Sequence, residues 1–120
     1  MAINMKKILI PLMLVALSTP SLADPVSCYE SSNGLHLTAS GRVALCSGAE
    51  NLEPISCFQT APRTVAASIK SKVHVCMGTK SKQETEERFS CLLNAKSLPL
   101  NATARIKLCN QSYMEAIHYK

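Results

Sequence analysis

Six cysteines carry most of the chemistry open to this chain: Cys28, Cys46, Cys57, Cys76, Cys91 and Cys109. A structural zinc site wants cysteines and histidines a few positions apart, yet no two cysteines here lie closer than 11 positions. His74 stands two residues from Cys76, and on a helix such a pair points in different directions. There is no Cys-x-x-Cys pair, so thiol–disulfide catalysis has no foothold. A thiolate nucleophile beside a histidine base fits poorly with an even number of cysteines. What remains is disulfide formation, and six cysteines read as three bridges.

The other candidates are basic. A base stands four residues before Cys46, Cys76 and Cys109, as Arg42, Lys72 and Arg105. On a helical wheel with the cysteine at 0°, that base falls at roughly −40°, inside the apolar arc. Burying an unpaired charge is costly, so the position calls for an explanation. One is a ladder of three binding residues, Arg42, Lys72 and Arg105, facing an acidic partner or anion. The other is structural: each stem covers the neighbouring unit while its head reaches water or a glutamate. Lys72 argues against bidentate carboxylate recognition at every rung, which wants arginine. A second basic cluster comprises Arg63, Lys70, Lys72, Lys80 and Lys82, with no acid among them. It suits either the steering of an acidic partner or anionic headgroup or a solvated face.

Other chemistry lacks its motifs. The four glycines form no phosphate-binding loop. The eight acids lie mostly in connectors and termini, away from the paired arrangement that hydrolysis of a glycoside needs. No Ser-His-Asp context is visible. No catalytic residue, metal site or cofactor is expected.

The elements that position these residues follow from an internal repeat. The cysteines divide into units 28–46, 57–76 and 91–109, with 17, 18 and 17 residues inside and gaps of 10 and 14 between. Val26-Ser27, Ile55-Ser56 and Phe89-Ser90 precede the first cysteine of each unit, and Tyr29, Phe58 and Leu92 follow it. Pro25 and Pro54 stand three residues before the first cysteine; Arg88 replaces them in the third unit. Eight residues before the second cysteine is always a helix-capping type, Thr38, Ser68 or Asn101. Ala39, Ile69 or Ala102, then Val43, Val73 or Ile106, then the cysteine, give the i, i+4, i+7 spacing of one helix face.

Each unit therefore reads as a short helix, a turn and a second helix. Proline in the first turn suits the shorter helix. Such a hairpin brings the start of its first helix beside the end of its second, which favours the pairs Cys28–Cys46, Cys57–Cys76 and Cys91–Cys109. The main rival joins Cys46 to Cys57, Cys76 to Cys91 and Cys28 to Cys109. Near-constant spacing within units, against variable gaps between them, favours the first set. The expected fold class is all-α: three disulfide-clasped hairpins stacked as a short solenoid, closed by a capping helix over 110–120. The connector from Gly78 to Glu87 reads as a solvated loop or the exposed first turn of the next helix.

The ends and the composition bound the compartment. Lys6 and Lys7, an apolar run from Ile8 to Leu17, and Ser21-Leu22-Ala23 form a secretory signal over 1–23, with cleavage expected after Ala23. The run is half the ~20 residues a membrane crossing needs. Lipidation at Cys28 is disfavoured, because Pro25-Val26-Ser27 precede it and an odd number of cysteines would remain. Asn101 and Asn110 fit the glycosylation pattern, but Asn101 already has a capping role. The remainder, 24–120, is a single domain's worth. Without Lys6 and Lys7 it holds eleven basic and eight acidic residues, a mild charge for a nucleic-acid binder. The absence of Trp leaves little for base stacking.

Repeat architecture without catalytic residues points to a non-enzymatic binding protein, periplasmic or secreted, with a protein partner, an acidic one if the basic ladder meets it. The alternative is a small secreted effector, such as a toxin or enzyme inhibitor, whose disulfides resist proteolysis.

Overall fold

Hydrogen-bonding side chains placed just before short apolar runs decide where the helices begin. The structure is a computed structural model and describes residues 24–110. The expected signal over 1–23 and most of the expected cap over 110–120 lie outside the described residues. Within them the chain forms six α-helices and no strand. We label them α1 (Asp24–Ser31), α2 (Ala39–Cys46), α3 (Glu53–Thr60), α4 (Ile69–Cys76), α5 (Lys82–Ala95) and α6 (Ala102–Cys109). A 3₁₀ turn, Ser32–Leu35, follows α1.

The second helix of each unit starts at its cap. Thr38 Oγ1 accepts from the Gly41 amide at 3.1 Å, Ser68 Oγ from Ser71 at 3.0 Å, and Asn101 Oδ1 from Ala104 at 2.8 Å. Each bond satisfies one of the amides that a first turn leaves without a helical partner. The first helices start differently. Pro54 lies in the first turn of α3, and Asp24 and Glu53 place negative charge at the positive ends of α1 and α3. Ser81 caps α5 through the Glu84 amide at 3.1 Å, and Glu84 Oε1 reaches back to the Lys80 amide. This near-capping-box arrangement makes most of the Gly78–Glu87 connector helical from Lys82 onward.

The first two units end alike. Cys46-Ser47-Gly48-Ala49 and Cys76-Met77-Gly78-Thr79 are type II turns, closed by Ala49 N–H to Cys46 O and Thr79 N–H to Cys76 O. The third turn residue has φ +70° at Gly48 and +80° at Gly78, a conformation that favours glycine. In the third unit that position is Gln111, and Asn110 behaves differently, as described below.

Three disulfides join Cys28 to Cys46, Cys57 to Cys76 and Cys91 to Cys109. Their Cα atoms are 5.5, 5.5 and 5.7 Å apart, and each closed loop restricts the unfolded chain by roughly 3 kcal/mol in the chain-entropy account. The first two bridges are buried, whereas Cys91 and Cys109 are partly exposed.

Helices pack in an ordered series. Within units α1 lies on α2, α3 on α4 and α5 on α6. Between units α1 meets α3, α3 meets α5, α2 meets α4 and α4 meets α6. Burial at repeat-equivalent positions follows from this order. Three residues before the second cysteine, Val43 is 56% exposed, while Val73 is 0% and Ile106 5%. One residue before it, Leu45 and Val75 are buried and Leu108 is 59% exposed. These two positions point about 160° apart on the helix. α4 has a second helix on each side, α2 and α6, and buries both residues. α2 and α6 each have one such neighbour and leave the outward residue open. Val43 thus departs from the expected apolar face because no described second helix packs on that side. Ile69, in the first turn of α4, is also exposed.

Candidate functional site

Two of the three bases four residues before the second cysteine, Arg42 and Lys72, meet the first helix of their own unit. In unit one, Arg42 Nε donates to Ser32 Oγ at 2.7 Å and Nη2 to Tyr29 O at 2.6 Å, while the guanidinium lies 3.9 Å from the Tyr29 ring centroid. Ser32 Oγ in turn donates to Tyr29 O. Arg42 therefore holds the C-terminal end of α1, where positive charge is favourable, and stacks on an aromatic face. In unit two, Lys72 Nζ lies 5.9 Å from the Phe58 ring. Tyr29 and Phe58 are equivalent, each following the first cysteine of its unit. The third unit has Leu92 there, with no ring to receive a cation. Arg105 Nη2 reaches Leu98 O at 3.4 Å, and its buried Nε has no hydrogen-bond partner among the described residues.

Arg105 instead lines a cleft between units two and three. The α3–α4 loop brings Arg63, the end of α5 brings Lys96, and α6 brings Arg105. Ala66, Leu92 and Ile106, all buried, form its floor. The cleft holds about 310 Å³. Ser68 and Ser71, at the start of α4, line both it and an adjoining smaller cleft of about 170 Å³ that also contains Lys70 and His74. Among the described residues no carboxylate lines either one. Burial pushes the His74 imidazole below its ordinary pKa, and the Lys70 charge adds to the shift. The structure thus separates the bases: Arg42 and Lys72 lie over rings, Arg105 joins Arg63 and Lys96, and Lys80 pairs with Glu50 at 3.4 Å on an exposed surface.

Two polar residues that flank unit three, Arg88 and Asn110, are built into the core. Arg88 Nη1 donates to Val75 O at 2.9 Å and Met77 O at 2.6 Å, and Nη2 lies 3.6 Å from Glu84. Asn110 Nδ2 donates to His74 O at 2.6 Å, with Met77 O at 3.2 Å and Val75 O at 3.3 Å. Both groups satisfy carbonyls that end α4, and the buried guanidinium complements the negative pole there. Desolvation lowers the Arg88 pKa, and Glu84 opposes the shift. Neither residue stood out as functional in the sequence. The available signal was departure from the repeat: Arg88 at the proline position, and Asn110-Gln111 in place of the residue-glycine pair after the second cysteine.

A third cleft, beside Cys91 and Cys109, mixes Lys80 and Arg88 with Glu84 and Glu87. Among the described residues no cluster of three or more His, Cys, Asp or Glu side chains can hold a metal ion, and no helix is long and apolar enough to cross a membrane. No protein-family model, curated protein or solved structure matches the chain.

Proposed function

We propose that this is an exported, non-enzymatic interaction protein, whose three clasped hairpins stack as a short solenoid and present a basic surface to an acidic protein partner. Three disulfides fit an oxidising compartment, which accords with a signal removed after Ala23. Serial helix packing and the outward Val43 and Leu108 at opposite ends accord with stacking in one direction.

The observation that carries the binding role is a division among the bases. Arg42 and Arg88 are bonded within the fold. Arg63, Lys70, Lys96 and Arg105 surround adjoining clefts that no carboxylate of the described residues lines. Such a one-signed surface raises association rates with a negatively charged partner and weakens as salt screens it.

The test is affinity capture from an extract of the producing cells, using oxidised protein beginning at Asp24. Replacing Arg63, Lys70 and Lys96 together by Glu should abolish capture of an acidic protein that Lys82→Glu still retains. Undiminished capture by the triple variant, with an unchanged circular-dichroism spectrum, would remove this surface from the partner contact. Exported material whose N-terminus is not Asp24 would overturn the cleavage assignment.

A further inference from the structure

We infer that the cleft between units two and three binds a short aliphatic anion, with its charged head among Arg63, Lys96 and Arg105 and its apolar body on Ala66, Leu92 and Ile106. The two halves of the lining set this requirement. Among the described residues three cations line the cleft and no carboxylate does. Arg105 brings a buried Nε that has no hydrogen-bond partner among the described residues. That Nε is closed to a water-sized atom, so an acid head meets the outer nitrogens of the guanidinium, of which Nη2 makes one long bond, to Leu98 O at 3.4 Å. Arginine presents a planar fork to a carboxylate or phosphoryl group, while Lys96 adds a mobile point charge.

The floor excludes the simplest ligands. A bare inorganic anion would leave the faces of Leu92 and Ile106 wet, forgoing their burial. A neutral aliphatic molecule would cover the floor but cut the three cations off from water without compensation. A molecule carrying both an acid head and an aliphatic body satisfies both halves. At about 310 Å³ the cleft lies at the small end of ligand sites, which selects a short body. A free aliphatic acid, an alkyl phosphate or the C-terminal residue of a peptide all offer this chemistry.

Small probes read the cleft directly on the isolated protein, so their outcome stands apart from capture of a protein partner. Hexanoate, hexyl phosphate and N-acetyl-leucine are titrated into ¹⁵N-labelled oxidised protein at constant ionic strength, alongside acetate and hexanol. At least one of the three amphiphilic anions should shift the amides of Ala66, Ser71 and Ala102 saturably, at least tenfold more tightly than acetate or hexanol. The tightest of the three identifies the head and the source. Lys96→Gln, an exposed change that leaves the fold alone, should weaken binding about fivefold, whereas Lys107→Gln should not alter it. Shifts spread evenly over the surface, no saturation by any of the three, or equal binding of acetate or hexanol would overturn the assignment.

Discussion

Val43 and Val73 each stand three residues before the second cysteine of a bridge, so the same substitution at each isolates the effect of a neighbouring helix. Val73 is fully buried between neighbouring helices and Val43 is 56% exposed. Val→Ala deletes two methyl groups, worth about 0.8 kcal/mol each when buried. A residual cavity raises the loss at Val73 to about 2 kcal/mol. Alanine's better helix propensity returns about 0.5 kcal/mol at both sites. The net expectation is a loss of about 1.5 kcal/mol at Val73 and about zero at Val43. The mirror pair behaves alike: Leu45→Ala should cost about 3 kcal/mol and Leu108→Ala little. The assay is equilibrium urea unfolding with the bridges intact, followed by circular dichroism. For a slope of about 1.5 kcal/mol per molar, the Val73→Ala midpoint should fall about 1 M below that of Val43→Ala. Equal losses at the two valines would refute the reasoning, because the first unit would then have to bury that face as the second does.

Three further outcomes follow from particular groups. Arg88→Ala should destabilise the protein by about 3 kcal/mol, since it strips the buried Val75 and Met77 carbonyls of a charged donor; urea unfolding measures it, and a loss under 1 kcal/mol would contradict the role. Cys91–Cys109 should be the first bridge opened by dithiothreitol under native conditions, because it alone is partly exposed; alkylation and mass spectrometry at short times read the order, and earlier labelling of Cys57 or Cys76 would contradict it. His74 binds a proton less readily in the folded chain than its ordinary pKa of 6.5 allows. Its contribution to stability is therefore complete above pH 6.5 and declines as pH falls toward the lowered folded value, because the unfolded chain takes up the proton first. Unfolding midpoints of the wild type and His74→Gln should diverge across that window, and parallel profiles would exclude the effect.

Much of this architecture can be read from spacing. Thr38, Ser68 and Asn101 mark the helix starts because capping is a local interaction between a side chain and an amide three residues on. The bridges follow because a hairpin of fixed length brings its ends together. The exposure of Val43 and Leu108 is less legible: among the described residues α2 and α6 each meet one other second helix while α4 meets two, and that difference leaves no mark in their own residues. The bases show a similar limit. Wheel position puts Arg42, Lys72 and Arg105 on one face, yet the residue after the first cysteine (Tyr29, Phe58 or Leu92) differs and so changes what each base meets. Loss of the ring at Leu92 was visible in the sequence, but the convergence of Arg63, Lys96 and Arg105 depends on how two loops from different units meet. Arg88 and Asn110 were legible only as breaks in the pattern, since their partners lie 11 to 36 residues away.

The proposed stack of hairpins, each closed on itself, is tested most directly by mapping the bridges in the oxidised protein. Trypsin alone leaves Cys46 and Cys57 in one peptide, because no Lys or Arg lies between them; adding a protease that cuts after Glu50 separates them. Non-reducing mass spectrometry should then find Cys28 with Cys46, Cys57 with Cys76 and Cys91 with Cys109. Peptides joining Cys28 to Cys109 would contradict the account.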